Sequence, residues 1–415
     1  MPNRIALANE LNALLGAREN EIAVAFVDLD GFKEVNDNYD HNVGDRLIQT
    51  VSRGLAILVD GKAGTYRLGG DEFILVFSDR DAHGSAQSFA MNLIQFLAKP
   101  FDFEGRLASV GASIGIATSN GEMMDAAELM RRADIAMYRA KHEGKSRHCT
   151  YLPEFDAERV EDIAIAERLS AVLGAEGLDV VYQPIFDTRT RDMVGVEALC
   201  RWPEGHGGKV DTERFVRVAE NSGLIDALGV SVLARACSQA SRWSGIRLAV
   251  NISVAQLRNP NFAESALRII DESGMSRDRI ELEVTETRLV EDARRANAVF
   301  RLLRLEGVQI ALDDFGAGYS SIGYLRQFEF DRIKIDRSLV SRVLDGSTDH
   351  NLVQGTMLLA SGLSASVTAE GVESEQQISA LRAIGCTEMQ GFYLSRPVSA
   401  DEIDILLARH DRIVA

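Results

Sequence analysis

The chain has 415 residues, of which 46% are hydrophobic and 26% are charged, and its formal net charge is −17. This length favours two domains over a single core, and the composition is typical of a folded globular protein. The negative charge argues against a nucleic acid polymer as partner, whereas a small phosphorylated ligand can still bind an acidic protein through divalent cations.

Neither a membrane span nor a secretion signal is expected. No uninterrupted apolar run is long enough to cross a bilayer, and the first residues lack the basic-then-apolar order of a signal peptide. We therefore expect no membrane contact within this chain and a cytoplasmic location, as a free protein or as the cytoplasmic part of a longer, membrane-attached sensor. The cysteines are widely spaced and are predicted to be free thiols in a reducing compartment.

The first part of the chain, residues 1–152, predicts a compact α+β domain in which strands and helices are interspersed. Two β-rich runs, Thr65–Leu68 and Glu72–Phe77, flank Gly69-Gly70 and predict a hairpin. The other predicted elements of this part are a strand at 22–28, a helix at 43–59, a helix at 84–98, a strand at 109–117 and a helix at 125–142.

A connecting helix is predicted over 153–172, where charges alternate with apolar residues. The part that follows, residues 173–412, has a regular alternation of strand-like and helix-like stretches. Eight strands alternating with helices over this length predict a (β/α)₈ barrel. The predicted strands lie at 178–183, 193–199, 247–251, 280–284, 309–313, 331–335, 366–370 and 386–390.

A polar residue stands at or near the end of every predicted barrel strand. In chain order these residues are Gln183, Glu197, Asn251, Glu283, Asp313, Lys334, Glu370 and Gln390. Any one of them could merely cap a strand, but that explanation is poor for all eight. Because the carboxyl ends of barrel strands meet at one mouth, we expect a cluster whose negative charge exceeds its positive charge. Such a cluster needs a cation, and hard oxygen ligands favour Mg²⁺ or Mn²⁺, with Asp313-Asp314 placed to bridge two ions.

Residues 197–201 read Glu-Ala-Leu-Cys-Arg, and residues 313–321 read Asp-Asp-Phe-Gly-Ala-Gly-Tyr-Ser-Ser. These runs resemble the EAL phosphodiesterases, which are TIM-like barrels that hydrolyse cyclic di-GMP. The resemblance also implies that the first barrel strand runs antiparallel to its neighbour. The other matching blocks are Tyr182-Gln183-Pro184-Ile185, Asn251-Ile252-Ser253, Glu283-Val284-Thr285-Glu286, Lys334-Ile335-Asp336, Glu370-Gly371-Val372-Glu373 and Gln390-Gly391-Phe392.

The resemblance implies two-metal hydrolysis of cyclic di-GMP to the linear dinucleotide pGpG. Lys334 would orient the attacking water, and Glu370 would hold this water or act as the base. The implied metal ligands are Glu197, Asn251, Glu283, Asp313 and Asp314. Glu197 and Asp313 are also implied to be catalytic residues. The residues implied to position the substrate are Gln183, Arg201, Glu373 and Gln390.

Residues 69–73 read Gly-Gly-Asp-Glu-Phe and, together with Asp28-Leu29-Asp30-Gly31-Phe32-Lys33, resemble the GGDEF diguanylate cyclases. The fold implied is a nucleotidyl-cyclase-like relative of the ferredoxin-like sandwich. Mg²⁺ with GTP would be held by Asp28, the Leu29 carbonyl and Asp71, assisted by Glu72. The residues implied to read guanine are Asn36 and Asp45, and those implied to contact phosphates are Lys141 and Lys145.

Three departures from the GGDEF pattern are visible. The opening Asp-x-Leu-Thr-Gly-Leu segment is absent, so that this domain resembles an N-terminally truncated one. Lys145 replaces the usual arginine, and residues 60–63 lack the inhibitory Arg-x-x-Asp, which predicts no product feedback there. Whether this domain is regulatory or cyclase-competent stays open. The alternatives for the whole chain are a diguanylate cyclase with minor hydrolysis and a catalytically silent receptor for cyclic di-GMP or GTP. The family implies a homodimer.

Overall fold

The computed structural model describes residues 4–17, 21–39, 41–103, 105–119, 124–175, 178–203, 208–285, 293–317, 328–344 and 348–414. The predicted motif residues Glu286 and 318–321 lie outside these ranges. Chain contacts divide the protein into two compact units, Met1–Glu161 and Asp162–Ala415. The predicted domain limits at residues 152, 172 and 412 stay a prediction. Within the described ranges, no helix is long and apolar enough to cross a membrane.

The first unit is built on a five-stranded sheet with strand order β2-β3-β1-β6-β7. The β6–β7 pair is parallel and the other pairs are antiparallel. Its strands are β1 (Ala23–Asp28), β2 (Ala63–Gly69), β3 (Glu72–Phe77), β6 (Ser113–Thr118) and β7 (Arg147–Thr150), and a separate hairpin joins β4 (Phe101–Phe103) to β5 (Arg106–Ala108).

Helices cover both faces of this sheet. Because side chains alternate along a strand, Ala25 and Val27 of β1 join one apolar core while Val24 and Phe26 join the other. The helices are α1 (Arg4–Ala17), α2 (Phe32–Asn38), α3 (His41–Val59), α4 (Ala82–Leu97) and α5 (Ala126–His142). Residues of α3 and α4 fill the first core, and residues of α1 and α5 fill the second.

The predicted hairpin at Gly69-Gly70 is confirmed, and Gly70 has the positive φ of 52° that such a turn requires. The strand predicted over 109–117 begins only at Ser113, because Gly111 instead exchanges backbone hydrogen bonds with Asp30 beyond the end of β1. Four features of this unit were not predicted, namely α1, α2, β7 and the β4–β5 hairpin. Apart from the 14-residue α1, these are short pieces whose sequences carry little periodicity.

Helix α6 (Glu154–Gly174) leads into the second unit, which is a closed eight-stranded barrel. The predicted barrel and its antiparallel first strand are both confirmed, since β8 pairs antiparallel with β9 and with β15, and the remaining pairs are parallel. The strands are β8 (Asp179–Asp187), β9 (Met193–Arg201), β10 (Arg247–Asn251), β11 (Ile280–Thr285), β12 (Gln309–Phe315), β13 (Arg332–Ile335), β14 (Ser366–Ala369) and β15 (Glu388–Met389).

Residues alternate along the barrel strands between an outward side, which packs into the apolar core, and an inward side that carries many polar residues. On β11, Ile280 and Leu282 belong to the apolar core, whereas Glu281 and Glu283 are fully buried inside the barrel. Polar residues therefore occur within the strands of this interior as well as at the predicted strand ends. The surrounding helices are α7 (Thr212–Ser222), α8 (Ile225–Ala240), α9 (Phe262–Ser273), α10 (Ala293–Leu305), α11 (Arg337–Val340), α12 (Thr348–Gly362), α13 (Glu375–Ala383) and α14 (Ala400–Val414).

Candidate active site

Lys334 lies at the centre of the predicted cluster and is 1% exposed. Its ammonium nitrogen Nζ is 2.8 Å from Glu283 Oε2 and 2.8 Å from Glu370 Oε1. The same atom is 3.3 Å from Glu197 Oε2 and 3.4 Å from Asp313 Oδ1. One cation thus joins carboxylates from β9, β11, β12 and the end of β14, as the positions of these residues in the sequence predict.

Glu197 is held from both sides by amides. Asn251 Nδ2 donates to Glu197 Oε1 over 2.7 Å, and Gln390 Nε2 donates to Glu197 Oε2 over 2.8 Å. Gln390 Nε2 also lies 3.0 Å from Gln183 Oε1, so that the predicted amide residues meet the predicted carboxylates. The orientation of the Glu197 carboxylate is therefore fixed by Asn251 at the end of β10 and by Gln390 just after β15.

A bulge in β12 brings two consecutive carboxylates to the same side. The register of β12 against β13 shifts between Leu312 and Phe315, and Asp314 has a left-handed φ of 57°. Consecutive residues of a regular strand face opposite sides, so the bulge is what allows Asp313 and Asp314 both to face Glu370. Each of these three residues offers a carboxylate oxygen, and the three oxygens lie within 4.8 Å of one another.

The charges of this cluster do not balance. Burial raises the pKa of Glu370 to about 8 and that of Asp314 to about 6. Burial also raises the pKa of Glu283 well above its ordinary value, and Lys334 offsets this only in part. The pKa of Glu197 is held below its ordinary range because Lys334 and the two amides outweigh its burial. The single positive charge of Lys334 cannot neutralise the five carboxylates of the cluster.

The residues present fit a divalent cation. Glu283 Oε1 is buried and has no hydrogen-bond partner among the described residues, so this oxygen is available as a ligand. The trio of Asp313, Asp314 and Glu370 supplies further oxygen donors at close range. Carboxylate oxygens without nitrogen or sulfur donors are typical of Mg²⁺ or Mn²⁺ sites.

Not every predicted residue joins the cluster in the expected way. Gln183 lies in the middle of β8 opposite Glu197, because β8 continues to Asp187; its prediction as a strand-end residue is wrong. The Arg201 guanidinium donates from Nη1 to the Cys200 carbonyl over 2.9 Å. The Glu373 side chain is exposed, and within the described residues no contact joins it to Lys334. Substrate contacts of Arg201 and Glu373 stay predictions.

A second, smaller acidic group lies in the first unit. Asp28 at the end of β1 pairs with Glu72 across the sheet, and the Leu29 amide donates to the Asp71 carbonyl over 3.3 Å. Lys141 on α5 reaches this group, with its Nζ 2.7 Å from Asp28 Oδ2. Burial, followed by the charge of Asp28, raises the pKa values of both Asp71 and Glu72.

The predicted guanine and phosphate contacts lie on elements next to this group. Helices α2 and α3 meet at Gly44, where an added Cβ would lie 1.9 Å from Asn36 Oδ1, and Asp45 follows on the exposed side of α3. Lys145 stands in a left-handed turn after α5 with a φ of 57°. Asp30, which was not predicted as a site residue, holds this turn by accepting a hydrogen bond of 2.9 Å from the Ser146 amide.

The sequence also carried a signal for buried charges below the barrel mouth. Two strands contain charged residues with a spacing of two, namely Glu281 with Glu283 and Arg332 with Lys334. This spacing places both members of each pair on the same side of a strand. The prediction considered only the last polar residue of each strand and so missed Glu281 and Arg332.

Comparison with known families agrees with this two-part organisation. The family described as EAL domain matches residues 166–397, and the family described as diguanylate cyclase, GGDEF domain, matches residues 1–147. The chain is 38% identical over 406 residues to an uncharacterized signaling protein of Caulobacter vibrioides, covering 97% of this chain and 50% of that protein.

The chain is also 34% identical over 411 residues to the bifunctional diguanylate cyclase/cyclic di-GMP phosphodiesterase MucR of Pseudomonas aeruginosa, covering 97% of this chain and 60% of MucR. This chain therefore spans about half to three fifths of the length of these relatives. Among solved structures, the PaMucR phosphodiesterase in complex with c-di-GMP is similar, with a TM-score of 0.54 and 33% identity. That similarity covers 58% of this chain and 99% of the other.

Proposed function

Since this chain belongs to the proteins that join a GGDEF domain to an EAL domain, we propose that its second unit hydrolyses cyclic di-GMP to pGpG. One observation carries this proposal: Lys334 joins four buried or half-buried carboxylates at the mouth of a closed barrel. The similar structure of PaMucR, a phosphodiesterase in complex with c-di-GMP, supports the choice of substrate.

In this proposal the acidic residues hold Mg²⁺ or Mn²⁺. The ligands would be Glu197, Asn251, Glu283, Asp313 and Asp314. When bound, such ions supply positive charge for the phosphoryl oxygens and lower the pKa of a bound water. The fit of the oxygen donors and the free Glu283 Oε1 support this part of the proposal.

The protein's own side chains would position the attacking water, accept its proton and orient the substrate. The Lys334 ammonium has three N–H donors, which the surrounding carboxylates Glu283 and Glu370, at 2.8 Å each, and their two neighbours take up. When cations bind some of these carboxylates, one donor of Lys334 would be released to hold a water. Glu370, whose Oε1 lies 2.8 Å from Lys334 Nζ, would take a proton from that water, because a cation bound beside it favours its carboxylate form. Gln183 and Gln390 lie at the wall of the site with amide groups that can orient the substrate, and Gln390 Oε1 has no hydrogen-bond partner among the described residues.

The decisive experiment is a product profile. The protein is incubated with cyclic di-GMP and Mg²⁺, and the nucleotides are separated by chromatography. We expect pGpG, and we expect none from the Glu197→Ala variant. If neither Mg²⁺ nor Mn²⁺ supports pGpG formation by the parent protein, the proposed hydrolysis is wrong and the receptor alternative is favoured.

For the first unit we propose binding of GTP with Mg²⁺. The acidic group of Asp28, Asp71 and Glu72 beside Lys141 supports it, because carboxylates can hold the ion and a lysine can contact phosphate. Above the turn, an added Cβ on Gly69 or Gly70 would meet no atom within 4 Å, so that a ligand can approach the backbone.

Two incubations, one with GTP alone and one with GTP and cyclic di-GMP, distinguish a cyclase role of this unit from a regulatory role. Formation of cyclic di-GMP from GTP would make the unit a cyclase, which requires two such domains facing each other. Acceleration of pGpG formation by GTP without synthesis would make it regulatory. We also propose a cytoplasmic homodimer, and light scattering after size exclusion tests the dimer.

A further inference from the structure

A second polar layer lies inside the barrel, one step below the candidate active site. We call it the lower layer; its members are Arg247, Glu281, Arg332, Thr368 and Glu388. Four of them precede a site residue by two positions in the sequence, which places each on the same inward side of its strand. The site residues that stand two positions further on are Glu283, Lys334, Glu370 and Gln390.

Arg332 is the residue that connects this layer. Its Nε donates to Glu281 Oε2 over 2.7 Å, and its Nη1 donates to Thr368 Oγ1 over 3.2 Å. The same Nη1 is 2.9 Å from Glu388 Oε2. Since Arg332 itself lies on β13, one guanidinium joins β11, β13, β14 and β15.

The contact with Glu281 reaches past a neighbouring strand. Strand β12 lies between β11 and β13, and its residue paired with Arg332 is Ala311. Alanine leaves room for the guanidinium to pass. Arg247 completes the layer, with its Nε 3.4 Å from Glu281 Oε1 and its Nη1 donating to Glu388 Oε1 over 3.2 Å.

The lower layer is neutral, whereas the site above it is not. Two arginines face two glutamates, so this layer needs no cation, and it is not a second ligand site. Glu281 is 0% exposed and Arg332 is 5% exposed, so water does not compete for these hydrogen bonds. The planar guanidinium has a fixed fork of donors, which makes it suited to hold several acceptors in one geometry.

Catalysis by fixed carboxylates depends on small distances. A displacement of about 1 Å at a reacting group can lower a rate about 100-fold, and productive sites are held within about 0.5 Å by the groups behind them. A shift of β11 or β14 along the barrel axis would move Glu283 or Glu370 by the same amount. The contacts of Arg332 oppose such a shift on all four strands.

We infer that Arg332 is a positioning residue for the hydrolysis proposed above. It acts by fixing the positions of β11, β13, β14 and β15 relative to one another along the barrel axis. The inference rests on that proposed function. Arg332 itself does not touch the substrate in this proposal, because it lies one layer beneath the site residues.

The test replaces the ion pair by apolar groups. Arg332→Met alone leaves Glu281 buried without its nearest partner and is expected to lower the thermal midpoint. The double variant Arg332→Met/Glu281→Leu removes both charges, and a buried ion pair can be replaced by apolar residues with little loss of stability. We expect this double variant to keep a midpoint near that of the parent while its kcat at saturating Mg²⁺ falls about 100-fold, with little change in KM.

A matched control makes the same chemical change at the surface. Arg268 and Glu272 form an exposed pair on α9, and Arg268→Met/Glu272→Leu should leave kcat unchanged. A double variant of the lower layer with the parent's midpoint and the parent's kcat would overturn the inference. If that double variant does not fold, Arg332→Lys decides the matter, since it keeps the charge but cannot reach three strands at once. Parent kcat in Arg332→Lys would equally overturn the inference.

Magnesium binding separates this inference from the proposed hydrolysis. If the parent forms no pGpG, the proposed function fails, and calorimetric titration with Mg²⁺ then tests the positioning role by itself. We expect weaker Mg²⁺ binding by Arg332→Met/Glu281→Leu than by the parent. Equal affinity would overturn the positioning role.

Discussion

Glu197 accepts a hydrogen bond of 2.7 Å from the side-chain amide of Asn251, although 54 residues separate the two in the sequence. Their strands, β9 and β10, are neighbours in the barrel. Glu197 is buried and Asn251 is exposed at the mouth, so the pair spans from the wall of the site to its opening. This contact fixes one of the two oxygens of the carboxylate on which the proposed metal site depends.

Glu197→Ala should lower the rate of cyclic di-GMP hydrolysis at least about 100-fold, the usual effect of removing one electrostatic contact at a reacting centre. The circular dichroism spectrum should not change, because the barrel core does not include this side chain. Glu264→Ala, at an exposed position of α9, is the control and should keep full activity. Hydrolysis at the parent rate by Glu197→Ala would make the metal assignment wrong.

Lys334→Met should destabilise the metal-free protein by about 3–5 kcal/mol, because it leaves buried carboxylates without their shared cation. Added Mg²⁺ should restore part of this loss, since the ion supplies the missing positive charge. Urea unfolding with a chelator and with Mg²⁺ measures both effects. The exposed Lys209→Met is the control, and equal unfolding free energies for Lys334→Met and Lys209→Met would contradict the central role of Lys334.

Chelation should abolish hydrolysis and also lower the thermal midpoint. A ligand that binds only the folded state adds about 2.7 kcal/mol at 100 times its dissociation constant. Glu283→Gln should reduce this stabilisation, because it removes a ligand whose Oε1 has no hydrogen-bond partner in the described part of the chain. A midpoint that is the same in chelator and in Mg²⁺ would count against a metal site in the barrel.

Lys141→Met should weaken GTP binding about 10-fold to 100-fold, since a hydrogen bond to a charged group contributes about 1.5–3 kcal/mol. The Nζ of this lysine lies 2.7 Å from Asp28 Oδ2 and so stands beside the predicted metal ligands. Calorimetric titration with GTP and Mg²⁺ is the measurement, with the exposed Lys99→Met as control. Unchanged affinity in Lys141→Met would remove this lysine from the phosphate site.

Gly391→Ala should destabilise the second unit by about 1–3 kcal/mol, the usual effect of overpacking. An added Cβ would lie 2.2 Å from both the amide nitrogen and the carbonyl oxygen of Val372, and backbone cannot easily move away. Gly355→Ala in α12 is the matched control, because its Cβ would meet nothing within 4 Å. It should be neutral or stabilise by up to about 1 kcal/mol. Equal thermal midpoints for the two variants would contradict the close packing of Gly391.

The barrel and its polar mouth were predictable because the strands repeat the same pattern. The period-two alternation of β11 and the polar residues at 283, 313, 334 and 370 identify the interior of the barrel without a structure. The bulge at Asp313-Asp314 was not predictable, because it depends on the left-handed conformation of Asp314, which the sequence does not mark with a glycine. The lower layer was missed because the prediction considered only the last polar residue of each strand, whereas Glu281 and Arg332 stand two positions earlier. Which of these charges pair with each other was not predictable, because the ion pairs cross the barrel between strands that are distant in sequence.

The reversed direction of β8 has a consequence for the path of the chain. Asp179, at the start of β8, pairs with Arg201 at the carboxyl end of β9. In an all-parallel barrel the first strand would begin at the face remote from the site. Here the polypeptide that leaves α6 arrives at the rim that carries Glu197 and Lys334, so the entrance of the domain and its reactive face coincide. The start of β8 therefore reaches the barrel beside Arg201 and not at the face remote from the site.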